Sequence, residues 1–343
     1  MQKSPLIPLT RRKFWLTVAG MFSLVVGCGR QTVSESSLTS LQPSESRTIT
    51  HALGTTRVPK MLQRIVALTG TSDLESLLVL GVKPFAAAGD DRRGLGQSVW
   101  QPHMEDQMQG VEMLPSRRNI SLEKVATLQT DLIISASAQI KAVYPQLSQI
   151  APTVALDTNQ RWQENLRLVA EVVGEPERAK TWIVAFEQRL ATLADSYREK
   201  LAGTTYTTAY YQPGRRQFDI ILGRDLDQAF QEIGLTRPPE QTRIIAQQEN
   251  SRRRANISLE RLDLIDTDLL FFYHYDYSTI QKAHELPELN RFLGAEPLLR
   301  GLQAVENRHV FVVPAYYWFL GRAMGIPMAV DDLESAVLPL ITQ

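Results

Sequence analysis

Apolar residues change period along this chain, and the changes mark its elements. Arg64-Ile65-Val66-Ala67-Leu68, Pro84-Phe85-Ala86-Ala87-Ala88, Leu132-Ile133-Ile134 and Thr153-Val154-Ala155-Leu156 are short apolar runs that predict strands. Between the first two, Ser72 to Leu80 predicts a helix stopped by Gly81. Strand and helix signals alternating at this spacing predict βαβ units around a parallel sheet. The pattern then becomes helical. Trp162, Leu166, Val169 and Val173 share a face that ends at Gly174, and Pro176 opens a second helix. There Ile183, Phe186, Leu190, Leu193, Tyr197 and Leu201 form one apolar stripe. A helix from Pro176 to Leu201 would be about 40 Å long at 1.5 Å per residue, enough to brace two lobes. Strand signals resume at Thr204–Tyr211, Phe218–Leu222, Leu269–Tyr273 and His309–Val313, and Asp331-Asp332 heads a closing helix.

The chain also repeats itself. Asn119-Ile120-Ser121-Leu122-Glu123-Lys124-Val125 aligns without a gap with Asn256-Ile257-Ser258-Leu259-Glu260-Arg261-Leu262. The register continues through Thr130-Asp131-Leu132-Ile133 and Thr267-Asp268-Leu269-Leu270. Each copy predicts a Ser N-cap, a Glu near the positive end of a short helix, then Thr-Asp and an apolar strand. A duplicated unit of this kind implies two α/β lobes with a ligand cleft between them.

The first residues belong to neither lobe. Thr10-Arg11-Arg12-Lys13-Phe14 leads into an apolar run from Phe14 to Val26, ending at Gly27-Cys28. This is the form of a secretory signal, too short to span a membrane. The paired arginines resemble a twin-arginine export signal. The ending resembles a lipoprotein box, with Cys28 as the lipidated first residue of the mature protein. Cys28 is the only cysteine, which excludes an internal disulfide and a Cys-based metal site. The Ser-rich run from Gln31 to Ser46 predicts a flexible tether. The resulting division is signal 1–28, tether 29–58, first lobe 59–159, connecting helices 160–202 and second lobe 203–343.

Charge narrows the function. The 343 residues carry 37 basic and 37 acidic side chains, a formal net charge of zero, which argues against a general nucleic-acid binder. The chain has no Gly-x-Ser-x-Gly elbow, phosphate loop or His-Glu-x-x-His motif, so no enzyme is expected. The five histidines show no metal-ligand spacing, and no metal site is assigned. His274 alone stands out, in Tyr273-His274-Tyr275-Asp276-Tyr277 just after a strand.

The arginines cluster in loops. Arg92-Arg93 follows a strand, Arg117-Arg118 precedes the first repeat helix, Arg215-Arg216 follows Tyr210-Tyr211, and Arg252-Arg253-Arg254 precedes the second repeat helix. In open parallel sheets ligands sit beyond the carboxyl ends of the strands, where such loops gather. Arginine's planar fork suits carboxylate, catecholate or phosphate oxygens. Trp100, Tyr210, Tyr211, Tyr273, Tyr275, Tyr277, Tyr316, Tyr317 and Trp318 are divided between core packing and a pocket wall. Arg322, just beyond, joins the candidate contacts.

From about His51 to the C-terminus the chain resembles the substrate-binding lipoproteins of iron-siderophore and cobalamin ABC importers. The resemblance is carried by Pro59 through Pro84, Thr130–Ile134, Ile150-Ala151-Pro152-Thr153-Val154, Trp162 to Arg189 and Leu302 to Leu333. It implies two α/β lobes with mostly parallel sheets joined by one long rigid helix, and a monomer that hands its ligand to a permease and its ATPase. It implies no cofactor, the iron being carried within the ligand. It also implies an acidic docking residue in each lobe, six positions before a glycine. Glu75 fits in the first lobe; in the second that position is Gln228, with Asp227 beside it. The arginines favour an anionic ferric siderophore of carboxylate or catecholate type. Haem, with His274 or a pocket tyrosine on iron, and cobalamin are the alternatives within the family; an exported α/β hydrolase or a metal-ion receptor lies outside it. The implied location is outside the cell membrane, held there by the lipid.

Overall fold

The computed structural model describes residues 45–90, 99–115, 120–212, 217–221, 224–247, 254–287, 290–291, 293 and 297–342. The first sheet has the order β5-β4-β3-β6-β7 and every pairing is parallel. Its strands are β3 (Ile65–Ala67), β4 (Ala86–Ala88), β5 (Glu112–Leu114), β6 (Leu132–Ala136) and β7 (Thr153–Leu156). Helix α1 (Ser72–Val79) joins β3 to β4, α2 (Leu122–Thr127) precedes β6, and α3 (Ser137–Ile140) and α4 (Tyr144–Ile150) lie between β6 and β7. Chain order reverses between β3 and β6, which makes the ends of these strands the crevice where such sheets take ligands.

The second sheet, β10-β9-β8-β11-β13-β12, is mixed. Its centre is parallel: β8 (Tyr206–Gln212), β11 (Leu269–His274) and β13 (Val310–Pro314). The flanking strands β9 (Gln217–Ile221), β10 (Arg254–Ser258) and β12 (Gln281–Lys282) run antiparallel to their neighbours. The parallel character implied by the sequence thus holds throughout the first sheet and at the core of the second. Residues alternate strictly between faces: Phe271 and Tyr273 join one apolar cluster, Leu270 and Phe272 another.

Two helices link the sheets, α5 (Trp162–Val173) and α6 (Pro176–Tyr197). The 22 residues of α6 span about 33 Å, shorter than expected because the helix ends at Tyr197, before Leu201. Ile183, Phe186, Leu190 and Leu193 are buried along it. At its first half Phe186 meets Trp162 of α5 edge-on, with ring centroids 5.5 Å apart. Trp182 donates its indole N–H to Ala323 O at 2.8 Å, and Arg189 pairs with Asp331 and Glu334. Near its start the Arg178 guanidinium lies against Gly81 of the first lobe, so the helix touches both lobes, as a brace must.

Both repeat copies end alike. Asp131 accepts the amide of Arg64 (3.1 Å), just before β3, and Asp268 accepts the amide of Thr205 (2.7 Å), just before β8. The helices that follow those first strands also stop alike. Gly81 and Gly234 sit at φ +72° and +112°, and the next residue's amide reaches back to Leu77 O and Phe230 O, respectively. The copies differ at their beginnings. Ser121 caps α2 by accepting from Lys124 N at 3.2 Å. Asn256-Ile257-Ser258 instead completes strand β10, and Leu259–Leu264 is a short 3-10 helix kinked at Arg261.

Two further expectations are corrected. The tether was placed through residue 58, yet β1 (Ser46–His51) and β2 (Gly54–Pro59) pair as a hairpin. Ile49 and Val58 are buried beneath it, Ala52 N bonds Ala155 O, and Arg47 reaches Glu171 O, so the hairpin belongs to the first lobe. Asp331-Asp332 does not head the closing helix but ends its first part, Gly325–Asp332, before a wider π turn. Among the described residues, no helix is long and apolar enough to cross a membrane.

Candidate functional site

The strand ends of the second sheet carry a row of tyrosines. Tyr210 lies two residues before the end of β8, Tyr275 follows β11 and Tyr316 follows β13. Tyr275 meets Tyr210 at 6.5 Å and Tyr316 at 5.4 Å between ring centroids, both edge-to-face. Tyr210 and Tyr275 are half-buried, whereas Tyr316 is buried. Edge-to-face stacking holds the rings rigid, and a rigid half-exposed ring offers contact area at small entropic cost. Beside Tyr275, the His274 ring packs on Tyr277 at 4.9 Å, and its Nδ1 accepts the amide of Asp276 at 3.1 Å.

The corresponding ends of the first sheet form a small apolar recess lined by Leu68, Ala88, Leu114, Ile120 and Val125, with Ser121 and Lys124 at its rim. The turn leaving β3 is tightly held: buried Asp73 accepts the amides of Thr69 (2.7 Å), Thr71 (3.1 Å) and Leu74 (2.8 Å). Burial nonetheless pushes the Asp73 carboxyl above its ordinary range. Gln101 donates to Asp90, two residues before Arg92 in the sequence. Trp100, half-buried, packs against the main core there.

Several predicted contacts lie outside the described residues: Arg92, Arg93, Arg117, Arg118, Arg215, Arg216, Arg253 and the lipidation residue Cys28. In the sequence the first three pairs come three or four residues after the last residues of β4, β5 and β8. Tyr211 is described for its backbone within β8.

Two of the predicted contacts are core. Trp318 is 1% exposed; it packs tilted on Phe271 and edge-on to Phe230 and donates its indole N–H to Asp332 at 2.8 Å, so it is core. Tyr273 lies on the buried face of β11, and desolvation pushes its hydroxyl's pKa up. Arg254 stands opposite Ile221, at the end of β10 remote from Gln212, and its guanidinium faces Asp219 at 3.6 Å, the residue paired with Tyr210 across β8 and β9. Arg322 is half-buried and turns its guanidinium onto Leu320 O and Gly321 O.

Neither docking acid is exposed. Glu75 is fully buried, bonded to the amides of Arg322, Met324 and Gly325. Asp227 accepts from Arg237 at 2.6 Å and from the Tyr206 hydroxyl at 2.8 Å. Gln228, the other candidate, donates to Glu232 at 2.9 Å. Leu74, Leu77 and Leu78 mark a single apolar face of α1, so the burial of Asp73, Glu75 and Ser76 as well comes from the packing around the helix and has no signal in that stripe. The exposed acids at matching places are Glu123 and Glu260, at the start of each repeat helix. Glu123 lies beside Ser121 and Lys124 of the recess. Glu260 follows Ser258, which aligns through Gln217 with Gln212 at the carboxyl end of β8.

Two α/β lobes, braced by one helix, with the carboxyl ends of both sheets carrying the candidate contacts, define a two-lobed solute-binding protein. The chain belongs to the periplasmic binding protein family, matching its pattern over residues 65–317. It is similar to "Probable siderophore-binding lipoprotein YfiY" of Bacillus subtilis (strain 168), with 29% identity over 316 residues covering 89% of this chain and 92% of that protein. It is 26% identical over 280 residues to "Fe(3+) dicitrate-binding periplasmic protein FecB" of Escherichia coli (strain K12), covering 80% and 83%. Among solved structures it shares the fold of Staphylococcus aureus SirA complexed with staphyloferrin B, at a TM-score of 0.68 and 21% identity, covering 84% of this chain and 97% of that one.

Proposed function

We propose that the protein captures a ferric siderophore outside the membrane and delivers it to an ABC permease and its ATPase. The observation that carries this reading is the pair of half-buried rings Tyr210 and Tyr275 at the strand ends of the second sheet, with buried Tyr316 packed behind Tyr275. Rigid aromatic faces suit a bulky chelate, and the arginine pairs that follow β4, β5 and β8 in the sequence suit an anionic one. The names of relatives at 29% and 26% identity point the same way, the second being an Fe(3+) dicitrate-binding protein. The protein works as a monomer, anchored by lipid at Cys28.

Each lobe also needs a surface for the permease. Glu123 and Glu260, exposed and related by the duplication, supply one charge per lobe on the side of the sheets that holds the ligand.

Quenching of intrinsic fluorescence, titrated with ferric citrate, a ferric catecholate, a neutral ferric hydroxamate, haem and cobalamin, tests the ligand class. Submicromolar binding of an anionic ferric chelate is expected. Arg93→Ala, Arg118→Ala and Arg216→Ala should each weaken it about tenfold to a hundredfold, since a charge-assisted bond is worth about 1.5–3 kcal/mol. Equal losses for the neutral hydroxamate would remove the charge argument, and tight binding of haem or cobalamin alone would replace the ligand.

A further inference from the structure

A carboxylate of the first lobe holds a backbone segment of the second. Glu75 Oε2, on α1, accepts the amides of Arg322 (2.7 Å), Met324 (2.9 Å) and Gly325 (3.0 Å). Its Oε1 lies 3.3 Å from Nε2 of His103, also in the first lobe. Glu75 is wholly buried, and the His103 side chain is 2% exposed. Burial by itself would raise the Glu75 carboxyl, but His103 and the amides outweigh it and hold the group below its ordinary range, so it is ionised at neutral pH.

The captured segment is continuous with the aromatic row. It starts at Tyr316, beyond β13, and runs through Tyr317, whose ring meets His103 edge-on at 5.8 Å. It ends at Gly325, the first residue of the closing helix. The segment is tightly coiled: a side chain at Gly321 would collide with the carbonyl of Tyr317. The brace helix holds it from a third direction, through Trp182 on Ala323 O.

We propose that Glu75 is a positioning residue for the ligand cleft, its carboxylate fixing the Tyr316–Gly325 segment of the second lobe against the first. The proposal rests on the reading of the tyrosine row as the ligand wall. A dry carboxylate and dry amides at a helix start each need the other, because neither has water to turn to. An apolar contact tolerates sliding; one oxygen shared by three amides is directional and does not. The clasp therefore fixes the lobes in angle as well as distance, a constraint the apolar stripe of α6 cannot supply alone. Ligand binding must then proceed without breaking it, so lobe closure stays small and the cleft is preformed.

Two ligand-free measurements test this in the full-length Cys28→Ser chain carrying spin labels at Gln146→Cys and Glu306→Cys, both exposed positions in different lobes. Glu75→Gln should broaden the distance distribution between the labels. It should also speed hydrogen exchange at the amides of Arg322, Met324 and Gly325 tenfold or more, with the amides of β11 as protected as before. In the unlabelled chain, ferric citrate should bind Glu75→Gln about tenfold more weakly, through faster dissociation. An unchanged distance distribution, or unchanged exchange at the three amides, overturns the proposal. Should Glu75→Gln lose protection throughout β11, Glu75→Asp in its place decides by the same two readouts. Failure of the parent protein to bind any ferric chelate would strike the proposed function, while the ligand-free readouts still judge the clasp.

Discussion

Asp131 and Asp268 occupy the same place in the two lobes. Each stands one residue before the strand of its repeat and accepts the amide one residue before the neighbouring strand, from Arg64 and Thr205. Asp131 takes a second amide from Gln63 at 2.7 Å, and Asp268 takes the Thr205 hydroxyl at 2.7 Å. The duplication thus preserves a specific junction between parallel strands. Asp131→Ala and Asp268→Ala should each cost about 1–3 kcal/mol by stranding these donors. Thermal melting should fall by about 2–4 °C per kcal/mol in a protein of this size, and a drop in one lobe alone would break the equivalence.

Asp227 is a structural residue of the second lobe. Its partner Arg237 is 4% exposed, lies over the Tyr206 ring, and also bonds Thr208 and Gln241. Removing one member of a buried pair strands the other charge, at about 3–5 kcal/mol. Asp227→Ala should therefore lower the urea midpoint strongly. A variant of unchanged stability that loses only uptake would restore the docking role.

Glu123 and Glu260 should behave in the opposite way. Both are exposed, so Glu123→Ala and Glu260→Ala should keep stability and ligand affinity, because exposed charges contribute little to either. Uptake in cells should drop with each and fall further with both. Affinity lost with uptake would place these acids in the cleft.

Fully buried Glu75 and half-buried Asp332 should respond to pH in opposite senses. Glu75 has a lowered carboxyl in the folded chain, so it adds stability above its unfolded value, about 4.3, and loses it as pH falls through the folded value. Asp332 is raised by burial, despite the hydrogen bonds from Trp318 and Tyr317, so its ionisation costs stability above the raised value and the cost disappears as pH falls. Urea midpoints between pH 3 and 7 should show the penalty of Glu75→Gln shrinking in acid. Any electrostatic gain from Asp332→Asn should also be largest at neutral pH and fade in acid. Penalties that do not vary with pH would mean that neither acid is ionised as described.

Sequence by itself determined the elements whose signals are local. β7 and α5 fall on the expected residues, and α1 and α7 (Arg224–Ile233) stop at glycines, because strand period, helix stripe and left-handed glycine are all set by neighbours in the chain. The repeat told of two related lobes for the same reason. Only the tertiary structure decided what each polar residue does. Asn256-Ile257-Ser258 became a strand because β9 offered an unpaired edge, which no local signal announces. The Ser46–Pro59 hairpin ordered because Ile49 and Val58 found a core made by residues far along the chain. Glu75, Asp227 and Trp318 read as surface or pocket groups until their partners, at Met324, Arg237 and Asp332, closed over them. A buried charge is legible only with its counter-groups, and those are brought to it by the fold.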